Sequence, residues 1–118
     1  MSTPSSQKVF TKDQTVTRGG LVYHQDTNEL VTGTVEKFHD NGQLQERGNF
    51  IDGELDGLYE WFYNNGQSER RGTYRNGEPD GLWEWFDENG NLTETRTYRN
   101  GGLVETPSNP QQVSKPTK

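Results

Sequence analysis

The chain of 118 residues is 25% hydrophobic and 25% charged, with a formal net charge of -6 and no cysteine. Its mean hydropathy is -1.19 and its isoelectric point near 4.8. Length and apolar content provide for one small domain with a thin core, the acidic balance disfavours nucleic acid and anionic membrane as partners, and the missing cysteine excludes disulfide and thiolate chemistry.

Residues 1–17 are rich in Ser, Thr, Gln and Lys with isolated Val9, Phe10 and Val16, and read as a flexible or loosely docked leader. The opening Met1-Ser2-Thr3-Pro4-Ser5-Ser6 lacks the apolar region of a secretory signal, and no apolar run approaches a membrane span. A soluble, cytoplasmic protein is expected. The repeat domain spans 18–106, and the Pro- and Gln-containing stretch 107–118 reads as a disordered tail.

Within 18–106 the sequence repeats every 24 residues. Gly33-Thr34-Val35-Glu36-Lys37-Phe38-His39-Asp40-Asn41-Gly42 stacks without a gap on the segments from Gly57 to Gly66 and from Gly81 to Gly90, aligning Gly, Glu, Phe and the closing Asn-Gly. Such a period means an array of small units, each dependent on its neighbours for burial. Cut at the turns, the units are about 17–40, 41–64, 65–88 and a partial 89–106.

Asn-Gly or Asp-Gly falls at Asn41-Gly42, Asp52-Gly53, Asn65-Gly66, Asn76-Gly77, Asn89-Gly90 and Asn100-Gly101, spaced alternately by 11 and 13 residues. These dipeptides suit type I′ hairpins, which need positive φ at both central positions. The fold class is therefore all-β, an elongated antiparallel meander. Strands are expected in chain order at Gly20–Gln25, Glu29–His39, Gln43–Phe50, Gly57–Tyr63, Gln67–Tyr74, Gly81–Asp87 and Asn91–Tyr98. Pro79, and the acids preceding Gly57 and Gly81, predict longer loops over Asp52–Asp56 and Asn76–Asp80.

Alternation places Tyr59, Trp61 and Tyr63 on one face with Trp83 and Trp85, and Leu58, Glu60 and Phe62 on the other with Leu82, Glu84 and Phe86. Large apolar groups on both faces predict a coiled or strongly twisted sheet that packs on itself.

The pattern Gly48-x-Phe50-x-x-Gly53-x-x-Asp56-Gly57-x-Tyr59-x-Trp61, repeated as Gly72-x-Tyr74-x-x-Gly77-x-x-Asp80-Gly81-x-Trp83-x-Trp85, resembles the MORN repeat. More narrowly it resembles the variant repeat of bacterial YwqK-type proteins, which are catalogued as antitoxins of toxin–antitoxin systems. The resemblance covers roughly Gly20 to Gly101 and implies an array of β-hairpins that binds a partner. Thr32 replaces the Asp of the later units, Val35 and Lys37 replace their aromatics, and Arg96 stands where Gly48 and Gly72 stand, so the ends read as caps.

Glu36, Glu60 and Glu84 recur at one repeat position. Two of them could form a catalytic acid–base pair, but a repeated position belongs first to the scaffold, and cross-strand pairing with Arg70, Arg71, Arg75 or Lys37 is the expectation. Asp52, Asp56, Asp80 and Glu78 lack the alternating oxygen ligands of a calcium loop and are expected to form turns. His24 and His39 lie 15 residues apart without the further ligands of a zinc site. No nucleophile elbow or phosphate loop is present. No catalytic, cofactor or metal site is expected.

The aromatic row Tyr59, Trp61, Trp83 and Trp85 is read two ways, as inter-repeat core and as a contact platform. The expected function is non-catalytic protein binding, with these four residues as contacts, Glu60 and Glu84 supplying charge, and a partner with a basic surface, as for an antitoxin-like inhibitor. A carbohydrate or cell-surface module and a membrane-associated scaffold are the alternatives. Exposed sheet edges also allow a homodimer.

Overall fold

A computed structural model describes residues 8–104; the start of the expected leader and the tail expected at 107–118 lie outside the described residues. Eight strands form one sheet in the order β1-β4-β5-β6-β7-β8-β9-β10, and two more, β2 and β3, form a separate hairpin. The strands are β1 (Val9–Thr11), β2 (Thr15–Arg18), β3 (Leu21–His24), β4 (Gly33–Phe38), β5 (Leu44–Ile51), β6 (Glu54–Phe62), β7 (Ser68–Arg75), β8 (Glu78–Phe86), β9 (Leu92–Arg99) and β10 (Gly102–Leu103). From β4 to β10 every pairing is antiparallel between chain neighbours, which is the expected meander.

The six Asn-Gly and Asp-Gly turns are of two kinds, and the short ones are the reverse of expectation. Asp52-Gly53 and Asn76-Gly77 are two-residue turns, with Ile51 paired to Glu54 and Arg75 to Glu78. Both residues have positive φ, at 48° and 84° and at 52° and 86°. The expected loops over Asp52–Asp56 and Asn76–Asp80 are instead tight turns running into bulged strands. From Phe50 to Gly48 β5 advances two residues while β6 advances four, Leu55 to Tyr59, and β8 repeats this against β7. Gly57 and Gly81 absorb the bulge at φ 106° and 82°. Pro79 is tolerated within β8, where its carbonyl accepts the Gly101 N–H at 3.0 Å.

At Asn41, Asn65 and Asn89 only the following glycine has positive φ, near 90°. The chain makes a five-residue connection, closed by His39 N–H to Gln43 carbonyl, Tyr63 N–H to Gln67 carbonyl and Asp87 N–H to Asn91 carbonyl. In the first two the asparagine is used through its side chain, and in the third the Asp87 carboxylate accepts the Asn89 and Asn91 N–H groups instead. The Asn65 carbonyl accepts the Gln67 N–H at 2.9 Å, while its amide donates to the Glu88 carbonyl of the next turn at 3.0 Å. Asn41 does the same with Gln43 and Asn64. The lateral contacts tie each unit to the next, so Asn65→Ala should lower stability by about 1–2 kcal/mol in urea unfolding, two hydrogen bonds at the usual net value.

The opposite edge is stitched similarly. Asp56 and Asp80 accept the N–H groups of Asn76 and Asn100 at 3.1 and 3.4 Å, and Thr32 at the same repeat position accepts the N–H of Asp52 at 2.8 Å. The acids at this position satisfy turn donors.

The leader expected over residues 1–17 is corrected from Val9 onward. β1 pairs in parallel with β4, matching Val9 to Thr34 and Thr11 to Glu36, and a 3-10 turn over Lys12–Gln14 leads into the β2–β3 hairpin. Apolar residues too sparse for a strand signal nevertheless suffice here, because Phe10 and Val22 pack on a cluster of Val31, Val35, Phe50 and Tyr59. The hairpin is held by backbone bonds from Val22 N–H to Gly53 carbonyl and from Val31 N–H to Val22 carbonyl, both 3.0 Å. It covers the part of the sheet that carries this cluster. The sheet does not pack on itself as expected; the crossover from β1 to β4 supplies the cover.

Candidate functional site

The face beneath the hairpin is built from two residue columns that recur with the repeat. Val35, Tyr59 and Trp83 form one, lying beside Gly48 and Gly72 of the intervening strands. Both glycines are buried, and a Cβ at either would fall within the Tyr59 or Trp83 ring. The absent side chain lets each ring lie flat on the neighbouring backbone. Phe50, Tyr74 and Tyr98 form the second column and meet the first edge to face, with Tyr74 and Trp83 centroids 5.1 Å apart at 86°. Trp83 is 4% exposed and Tyr59 8%; the Trp83 indole N–H donates to the Thr73 carbonyl at 3.1 Å.

Trp61 and Trp85 stand one row further along and are only half-buried. Trp61 stacks on Tyr59 at 4.2 Å between centroids, and Trp83 lies tilted between Trp61 and Trp85 at 5.9 and 6.3 Å. Arg70 pairs in register with Trp61 on one side and Trp85 on the other. Its guanidinium carbon lies 3.9 Å from the Trp61 ring centre. Beyond them the row continues to Glu94 on one side and to Glu46 and then Lys37 on the other. Tyr63, expected beside these rings, lies in the turn and donates its hydroxyl to the Phe86 carbonyl at 2.6 Å.

Glu60 and Glu84 lie on the other face, where alternation places them, opposite Arg47 and Arg71, and so do not supply the charge expected of them beside the aromatics. Arg47 bridges Glu60 at 3.0 Å and Glu36 at 4.0 Å, and Arg71 contacts Glu84 at 2.9 Å. The result is an alternating Glu–Arg ladder in place of the carboxylate row. Arg71 was among the expected partners. Arg47 was missed, although it lies opposite Glu36 and Glu60 in register. The pairs are half-exposed and contribute under about 1 kcal/mol each.

Between the hairpin and the sheet lies a recess of about 530 Å³, floored by Tyr59, Trp61 and Tyr74 and walled by Val22, Thr17 and Lys12. Its size is that of a ligand or side-chain pocket. Burial, reinforced by a 2.5 Å hydrogen bond to Glu46, pushes the Tyr59 hydroxyl far above its ordinary range. Burial also raises Tyr74 and Tyr63. A phenol whose folded value is raised stabilises the fold below the unfolded value near 10 and loses that contribution as pH rises through the folded value. Spectrophotometric titration should show Tyr59 ionising only with alkaline unfolding, which begins above about pH 10, and Tyr59→Phe should flatten the alkaline limb of the stability profile.

Among the described residues no three His, Asp or Glu side chains gather as a metal site, and no helix is long and apolar enough to cross a membrane. Hairpins in register, stitched turn to turn, with one aromatic face partly covered and partly open, define a repeat protein whose working surface is a sheet. The family model for the MORN repeat variant matches residues 31–52, 55–76 and 79–100, and the chain belongs to that family. Each matched segment is one hairpin of the sheet, β4–β5, β6–β7 and β8–β9 in turn. No curated protein matches the chain.

Proposed function

We propose that the chain is a non-catalytic module that binds a protein partner through the uncovered part of its aromatic face. The observation that carries this reading is the different fate of neighbouring rings: Tyr59 and Trp83 are buried in the core, whereas Trp61 and Trp85, one row further along, are only partly buried around Arg70. Tryptophan and arginine are the side chains that most often dominate protein interfaces. Acids on the flanking turns, Asp40, Asp87 and Glu88 at one edge and Asp52, Glu54 and Glu78 at the other, favour a partner whose surface is basic around the contact. Inhibition by occluding such a surface, as the resemblance to antitoxins suggests, is the specific form of this role.

The test is co-purification from the native host with wild type and with Trp61→Ala/Trp85→Ala. The reading requires a stoichiometric protein partner retained by the first and lost by the second. A chain that retains no protein but binds a glycan array or floats with liposomes overturns it in favour of sugar stacking or membrane association.

A further inference from the structure

Arg70 stands between the two tryptophans of the open aromatic face, and among the described residues the fold gives it no carboxylate. Among the described residues none of its guanidinium nitrogens forms a salt bridge, whereas its neighbours on that face are matched: Glu94 holds Arg96 at 2.5 Å, and Glu46 holds Lys12 at 3.5 Å and the Tyr59 hydroxyl at 2.5 Å. The Arg70 Nε is buried from solvent and has no hydrogen-bond partner. A buried donor without an acceptor is costly and calls for an explanation. We infer that Arg70, held between Trp61 and Trp85, is the receptor for a single Asp or Glu side chain of the protein partner, an inference that rests on the protein-binding role proposed above.

Three features favour this ligand. The guanidinium is oriented by stacking on Trp61, and with Nε turned inward its two terminal nitrogens are the pair that an arriving carboxylate would take in bidentate fashion. The flanking indoles exclude water and offer apolar surface to residues beside the acid. Glu46 and Glu94 flank the two tryptophans, each already held by a cation, so Arg70 offers one uncompensated charge between them, the match for a single carboxylate. The partner's contact is thus an acidic residue set among apolar ones, inside a surround that the acidic turns require to be basic.

The test is selection of a random heptapeptide display library against the full chain, followed by titration of the selected peptides by fluorescence anisotropy. Selected peptides should share one Asp or Glu bordered by apolar residues. Arg70→Gln, and the peptide carrying the amide in place of the acid, should each weaken binding about tenfold or more, without adding when combined. Arg70→Lys should fall between, since it keeps the charge and loses the fork. Arg71→Gln, altered in the ladder on the opposite face, should bind as wild type, and thermal unfolding confirms that each variant is folded. Selected peptides without an acid, binding indifferent to Arg70→Gln, or displacement by low-millimolar inorganic phosphate would each overturn the inference while leaving protein binding intact. Recovery of no peptide would overturn the inference as well, whereas only the absence of a co-purifying protein would overturn the role on which it rests.

Discussion

Gly72→Ala should lower the stability of the array by about 3–5 kcal/mol, while Gly102→Ala changes it by less than about 0.5 kcal/mol. Gly72 is buried beneath Trp83, and a methyl group there falls within the indole. Trp83 cannot tilt away freely, because Tyr74 and Tyr98 meet it edge to face and its N–H is bonded to Thr73. Insertion of one methyl therefore displaces the largest side chain of the core, and the penalty approaches that of removing it. At Gly102 the nearest atom to a new Cβ is the Arg99 carbonyl oxygen at 3.7 Å, an ordinary contact. For a domain of this size the Gly72 variant should melt about 15 °C or more below wild type in a calorimetric scan. Combining it with Trp83→Ala should give a loss smaller than the sum of the two by about 2 kcal/mol, since the clash and the ring disappear together. Strict additivity would mean that the glycine serves the backbone and not the ring.

The second large effect separates two tryptophans that share a face and a strand. Trp83→Ala should destabilise by about 3–5 kcal/mol, the usual result of truncating a buried indole. Trp85→Ala removes a partly buried ring that lies over the Arg96 guanidinium at 4.9 Å, and should lower stability by about 1 kcal/mol. Its effect belongs in binding, where loss of a central aromatic contact lowers affinity by about 2 kcal/mol or more, roughly thirtyfold. Urea unfolding paired with partner titration reads both quantities on the same two variants. Equal destabilisation by the two substitutions would mean that neither ring is kept for a partner.

The period, the antiparallel meander and the separation of Tyr59 and Trp61 from Glu60 were legible in the sequence, because a 24-residue repeat and strand alternation leave little choice. The turns were legible in position and not in kind. Asn65-Gly66 and Asn76-Gly77 are the same dipeptide, and what distinguishes them is the neighbouring unit, which supplies the Glu88 carbonyl to the Asn65 amide and the Asp56 carboxylate to the Asn76 N–H. That information is tertiary. Residues 9–17 read as leader because Val9, Phe10 and Val16 are too sparse for a strand pattern; the surface that Phe10 packs on, Val35, Phe50 and Tyr59, comes from units well downstream.

The division of labour within each aromatic pair had a signal that alternation alone does not give. A glycine lies in register with Tyr59, at Gly72, whereas Trp61 lies in register with Arg70. An aromatic beside a strand glycine has room to lie down on the backbone and become core; one beside a long charged side chain is propped away from it. Arg47 was missed for a related reason, since its role depends on pairing with Glu36 and Glu60 at once, on two different strands.

The central claim is that the Trp61–Arg70–Trp85 row is where a protein partner sits. Hydroxyl-radical footprinting of the chain with and without the partner co-purified from its host tests it most directly. The account predicts strong protection of Trp61 and Trp85 on complex formation, with Leu58 and Leu82 on the opposite face, 42% and 54% exposed, oxidised as in the free chain. Protection of Leu58 and Leu82 with unchanged oxidation of Trp61 and Trp85 would place the partner on the Glu–Arg face and contradict it.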